Sequence, residues 1–230
     1  MKDYVFLIVH GFGGDISEID YLYQFLLENG LNADTVLLSG HGKSKKDLRK
    51  STPEDWINSV EEKINLLALQ YENIVLIGFS AGGLICTHFT HIKHIKKIVF
   101  INTPVYFWNI RVISKDIFAS LKEKNFEQIK YYRNSLLGTS LKSGVDFLKL
   151  LYSSKKLFIK IKTPLLILQC KNDESVRHRS AEYINNRAKS SKVILYDGGC
   201  HQIFSKSPEL RDRVCCDIYR FLVNDRTCFL

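Results

Sequence analysis

Three short stretches, far apart in the chain, hold the residue types that acyl-transfer chemistry needs. Ser80 lies in Gly78-Phe79-Ser80-Ala81-Gly82, Asp173 in Lys171-Asn172-Asp173-Glu174, and His201 in Gly198-Gly199-Cys200-His201-Gln202. A serine hydroxyl is a weak nucleophile at neutral pH and needs a base to take its proton. A neutral histidine can be that base, and a carboxylate on its other nitrogen fixes the ring and stabilises the imidazolium. The spacing around Ser80 has a mechanical reason. A serine raised on a sharp strand-to-helix turn needs small residues two before and two after it, and Gly78 and Gly82 supply them. The following helix would aim its N-terminus at the hydroxyl, which favours developing negative charge. Two backbone N–H groups are still required for an oxyanion. Ala81 offers one, and His10-Gly11-Phe12-Gly13-Gly14 offers Phe12 for the other.

Plainer readings compete at each position. Ser80 could serve a tight turn alone, and Glu174, next to Asp173, could be the acid, although the strand-to-loop register favours Asp173. Of the seven histidines, His88, His91 and His94 have a spacing that could suggest metal, but with no carboxylate close by they read as a solvated helix end. His178 reads as surface, while His10 and His41 read as shaping loops. Asp197 lies too close along the chain to reach round to His201, and Asp146 has no motif. No G-K-[ST] or G-x-G-x-x-G pattern supports a nucleotide site. We expect no metal and no organic cofactor.

To bring these stretches together the chain must place them at the ends of neighbouring strands. Strand patterns run over Tyr4–Val9, Ala33–Leu38, Ile74–Gly78, Lys97–Ile101, Leu165–Cys170 and Lys192–Asp197. Helical patterns alternate with them over Ser17–Asn29, from Pro53 to about Tyr71, over Ala81–Thr90, near Ser180–Ser190 and over Pro208–Asn224. Gly30 follows the first helix as a C-terminal stop, and Thr52 with Pro53 marks the start of the second. The stretch from Ser39 to Ser51 reads as a polar loop. Short apolar strands alternating with helices predict an α/β fold with a mostly parallel sheet of six or seven strands, covered on both faces. In such sheets the chemistry gathers beyond the carboxyl ends of the strands.

The chain has 230 residues, 45% of them hydrophobic and 25% charged, which suits one domain with a large core. Six cysteines with no C-x-x-C pair and no signal-peptide pattern at the start of the sequence predict free thiols and a cytoplasmic protein. The net charge of +9 is concentrated. Residues Thr103 to Thr163 hold twelve Lys/Arg against four Asp/Glu, while the rest of the chain is nearly balanced. A basic segment in place of a basic surface argues against nucleic acid as a partner.

Together the motifs resemble the α/β-hydrolases, and in particular the small bacterial carboxylesterases and monoacylglycerol lipases. The residues that carry the resemblance are HGFGG at His10–Gly14, SGHG at Ser39–Gly42, TPEDW at Thr52–Trp56, GFSAGG from Gly78 to Gly83, TPVY at Thr103–Tyr106, CKNDESV at Cys170–Val176 and GCHQIF at Gly199–Phe204. Cys200 departs from the pattern, standing where serine or another small residue is usual. The resemblance implies a Ser80–Asp173–His201 triad, an oxyanion hole at Phe12 and Ala81, and esterase activity on short- to medium-chain acyl esters. A monoacylglycerol lipase, an acyl-thioesterase or a non-catalytic ligand-binding relative are the alternatives. It also implies a helical cap at residues 103–163, inserted into a core made of 1–102 and 164–230. Within it Phe107 and Trp108 are candidate substrate contacts, with Phe118 and Phe147 further candidates for the inner face. The basic cap could meet anionic lipid or an acidic substrate, although a solvated lysine-rich surface explains the charge equally simply. The protein is expected to act as a monomer or homodimer.

Overall fold

The computed structural model describes residues 3–107 and 140–223. Six strands form one sheet in the order β2-β1-β3-β4-β5-β6, every neighbouring pair parallel. They are β1 (Tyr4–Val9), β2 (Asn32–Val36), β3 (Asn73–Phe79), β4 (Ile95–Ile101), β5 (Leu165–Cys170) and β6 (Ser191–Tyr196). The helices are α1 (Asp20–Glu28), α2 (Lys45–Lys50), α3 (Pro53–Ala68), α4 (Ala81–Cys86), α5 (Leu141–Lys155), α6 (Arg179–Asn185), α7 (Ile203–Lys206) and α8 (Pro208–Val223).

Successive side chains of a strand point to opposite faces, and both faces here are covered, so the central strands are apolar throughout. Val5, Leu7 and Val9 of β1 enter a core with Trp56 and Val60 of α3 and with Leu84 and Ile85 of α4. Phe6 and Ile8 enter a second core with Leu22 and Leu26 of α1 and with Val214 and Ile218 of α8. Each fully buried aliphatic side chain contributes about 1.5–3 kcal/mol. The central strand tips are therefore held firmly on both sides, which the site at their carboxyl ends requires.

The helix α3 starts as its sequence predicts. Thr52 Oγ1 accepts the Asp55 N–H at 3.3 Å, Asp55 Oδ2 accepts the Thr52 N–H at 2.8 Å, and Pro53 opens the first turn. The polar loop read over residues 39–51 needs correcting, because it contains α2. Ser44 and Asp47 form a second reciprocal cap, with only Leu48 buried beneath it. Six residues with one apolar anchor give almost no helical periodicity, which is why the pattern looked like a loop. In the segment after β4, the apolar spacing of SGVDFLKLLYSSKKLF appears as α5, packed against α4 and α3. The helical spacing of DIFASLKEKNFEQIKYY in the same segment, together with Trp108 and Phe118, lies outside the described residues, as does Cys228.

Candidate active site

At the tip of β3 the chain turns into α4 through Ser80, whose backbone is left-handed at φ 52°. Only a tightly enforced turn keeps a serine there. The flanking glycines show how close the packing is. A Cβ on Gly78 would lie 2.4 Å from the backbone of Gly83, and one on Gly82 would lie 2.2 Å from the Val9 carbonyl. The turn lifts the Ser80 hydroxyl above the sheet, while the Ser80 N–H stays anchored to the Ile101 carbonyl at 2.8 Å.

The three stretches singled out in the sequence meet here. His201 Nε2 lies 2.9 Å from Ser80 Oγ, and His201 Nδ1 lies 2.8 Å from Asp173 Oδ2. A carboxylate can only accept, so Nδ1 carries its hydrogen toward Asp173. That leaves Nε2 of the neutral ring to accept the Ser80 O–H. The Asp173 side chain is itself fixed: Oδ1 accepts the N–H groups of Ser175 at 2.8 Å and Val176 at 2.7 Å. Glu174, the other candidate acid, is engaged elsewhere, its Oε2 accepting the backbone N–H of His201 at 3.0 Å. One face of the imidazole packs against Phe79, with ring centres 5.3 Å apart.

Burial alone would lower the His201 pKa. The adjacent Asp173 carboxylate overrides it by charge and hydrogen bond, Glu174 and Glu18 add to the effect, and the result is about 9. The ring must lose its extra proton before Nε2 can take one from Ser80.

Phe12 lies in the turn that follows β1, and its N–H has no acceptor among the described residues. Ala81 is the first residue of α4, where a backbone N–H is one of the orphan donors of a helix start. The Phe12 ring packs against the core that holds Trp56, 5.5 Å from the Trp56 ring and 6.0 Å from His41. Phe147 of α5 lies 5.2 Å from Phe12, and Phe107 lies 6.1 Å from Phe147. Phe107 thus belongs to a row of rings leading to Phe12, and it also pairs with Val176 in an isolated antiparallel bridge.

Among the other histidines, His88 reaches Ser154 Oγ at 3.1 Å, and His94 Nδ1 donates to the Glu72 carbonyl at 3.0 Å. Among the described residues, no group of three or more His, Cys, Asp or Glu could hold a metal ion.

Asn102, just beyond β4, was not singled out in the sequence. It is fully buried and left-handed at φ 48°. Its Nδ2 donates to the His201 carbonyl at 3.0 Å, and its Oδ1 accepts the Cys170 N–H at 2.9 Å. It therefore ties the histidine loop to β5. An Asn directly after a strand tolerates a left-handed backbone, but so do many turn residues, so the signal is weak.

An open parallel sheet with a strained serine turn after β3, an acid after β5 and a histidine after β6 defines the α/β-hydrolase class. The model of the family described as serine aminopeptidase, S33 (Hydrolase_4) matches residues 2–208, and the chain belongs to that family. It is a hydrolase. The chain is 25% identical to a carboxylesterase of Bacillus subtilis (strain 168), an alignment covering 96% of this chain and 92% of that protein. It is 27% identical to a thermostable monoacylglycerol lipase of Bacillus sp. (strain H-257), over 77% of this chain and 74% of the other. Among solved structures, one reported for the metagenome-derived lipolytic enzymes LipS and LipT superposes with a TM-score of 0.75. At 16% identity, over 95% of this chain and 94% of that one, it speaks for the fold alone.

Proposed function

We propose that the protein is a carboxylesterase that cleaves short- to medium-chain carboxylic esters through an acyl-enzyme on Ser80. The observation that carries the reading is the continuous contact from Ser80 Oγ through the His201 ring to Asp173, at 2.9 and 2.8 Å, beneath a strained strand-to-helix turn.

Ser80 Oγ attacks the ester carbonyl as its proton passes to His201 Nε2. Asp173 holds the ring in the required tautomer and balances the imidazolium charge. The oxyanion takes hydrogen bonds from the N–H groups of Phe12 and Ala81. The intermediate collapses, the C–O bond to the leaving alcohol breaks, and that oxygen takes the proton from His201. A water then loses its proton to His201 and attacks the acyl carbon. The carboxylic acid departs as Ser80 Oγ regains a proton. Residues 103–163 serve as the cap, with α5 and the Phe107–Phe147–Phe12 row forming an apolar wall for the acyl or alcohol group. Action on monoacylglycerols is the second reading, favoured by the similarity to the Bacillus sp. lipase.

Hydrolysis of p-nitrophenyl esters from acetate to palmitate, by the native protein and by Ser80→Ala, tests the proposal. We expect an optimum at short or medium chains and a loss of at least about 10⁴-fold in kcat on substitution. An optimum at long chains would move the reading to a lipase. Inertness toward every ester, or full activity in Ser80→Ala, would overturn it.

A further inference from the structure

Behind the oxyanion loop lies a carboxylate that the proposed chemistry does not consume. Glu18 stands in the one-turn 3-10 helix Ile16–Glu18 that follows the loop. Its Oε2 accepts the Gly11 N–H at 3.0 Å, and its Oε1 accepts Gln202 Nε2–H at 2.8 Å. Gly11 neighbours Phe12, and Gln202 neighbours His201. The loop is shaped around the carboxylate. A Cβ on Gly14 would lie 2.1 Å from the Glu18 carboxyl carbon. A Cβ on Gly11 would stand 3.1 Å from Glu18 Oε2 and 3.2 Å from the Ser80 Cβ.

Placing a carboxylate in such a site is costly, and burial pushes the Glu18 pKa up against the opposing pull of these two hydrogen bonds. Among the described residues no lysine or arginine pairs with it. An apolar side chain of similar size would fill the space without that penalty. What the carboxylate provides is two acceptors on one rigid group, aimed at two loops that touch nowhere else through side-chain hydrogen bonds among the described residues.

We propose that Glu18 is a positioning residue that locks the oxyanion loop to the histidine loop, so that the Phe12 N–H and His201 Nε2 keep a fixed separation around the reacting carbonyl. The inference rests on the esterase reading above. Through Gly11 it sets the direction of the Phe12 N–H. Through Gln202 it holds the histidine loop, which Asn102 also ties at the His201 carbonyl. Its charge also faces His201, together with those of Asp173 and Glu174.

The test compares native protein, Glu18→Gln, Gln202→Met and the double variant in p-nitrophenyl butyrate hydrolysis across pH, with thermal melting as a fold control. For Glu18→Gln we expect kcat to fall about 10- to 100-fold with KM changed less than about threefold, the scale of a small misplacement of reacting groups. The acidic limb of its kcat/KM profile should move to lower pH, because one of the carboxylates facing His201 has lost its charge. A purely structural role would leave that limb in place. Gln202→Met, which keeps Glu18 intact, should show part of the kcat loss, and the double variant should lose no more than Glu18→Gln alone. Native-like kcat in Glu18→Gln, an unmoved limb, or additive losses in the double variant would each overturn the tie. Failure of the esterase reading itself would look different, since the native protein would then neither hydrolyse the ester nor label with a serine-directed phosphonate.

Discussion

His10 and His201 both stand on loops beyond the carboxyl ends of strands, β1 and β6, and are driven in opposite directions. Burial pushes the His10 imidazole down to about 4. Its Nδ1 hydrogen goes to the Gly11 carbonyl at 2.9 Å and its Nε2 accepts the Leu38 N–H at 3.1 Å, an arrangement that only the neutral ring can make. Burial acts on His201 in the same sense, yet its pKa rises to about 9, because Asp173 touches its Nδ1 and two further carboxylates face it. Desolvation is common to both rings, and the neighbouring charge decides which binds a proton more tightly and which is held neutral.

The strongest way to break this contrast is Asp173→Asn. The amide keeps the shape, removes the charge and can present the wrong group to Nδ1, so kcat should fall about 10⁴-fold. The His201 pKa, followed by NMR, should drop well below its native value. A pKa that stayed near 9 would show that Asp173 is not what separates the two rings.

The pH dependence of the native protein sharpens the contrast. A base with a pKa of about 9 gives a kcat/KM that climbs toward pH 9, by about tenfold per unit on the acidic side. Between pH 7 and pH 9, where half of the rings are neutral, the rise should be about 50-fold. A plateau already reached at pH 7 would contradict it.

The smallest effect is on stability. His10 has a folded pKa below its unfolded value, so between about 6.5 and 4 the unfolded chain binds the extra proton and stability is lost as pH falls. From pH 7 to pH 5 the loss is about 2 kcal/mol. His201 has the opposite sign: its contribution is complete below about 6.5 and is lost as pH rises through about 9. Denaturant melts of native protein and His10→Gln should therefore converge as pH is lowered. Parallel curves would remove His10 from the account.

Much of the fold and of the candidate site's geometry was legible in the residues. Glycines two before and two after Ser80 are a local requirement of the turn, visible because no Cβ fits there. The apolar runs of β1, β3 and β5 are legible for a similar reason, since strands covered on both faces cannot alternate with polar residues. The short helix α2 was hidden by its length, although its Ser44–Asp47 cap is a local signal. Glu18 was hidden for a different reason. With Asp15 three residues before it, it looks like the far end of a reciprocal cap, yet its carboxylate turns to Gly11 and Gln202.

The residue types and their order along the chain were enough to nominate Ser80, Asp173 and His201, because nucleophile, acid and base chemistry is a property of the side chains. Which of the neighbouring carboxylates faces the imidazole was a matter for the tertiary structure. Asp173 takes Nδ1 because its other oxygen is held by the N–H groups of Ser175 and Val176, while Glu174 turns to the His201 backbone. The same holds for Asn102 and Glu18, whose partners lie 99 and 184 residues away in the chain. Contacts of that kind depend on where the strands end and on the path of the loops between them, and local spacing carries no trace of either.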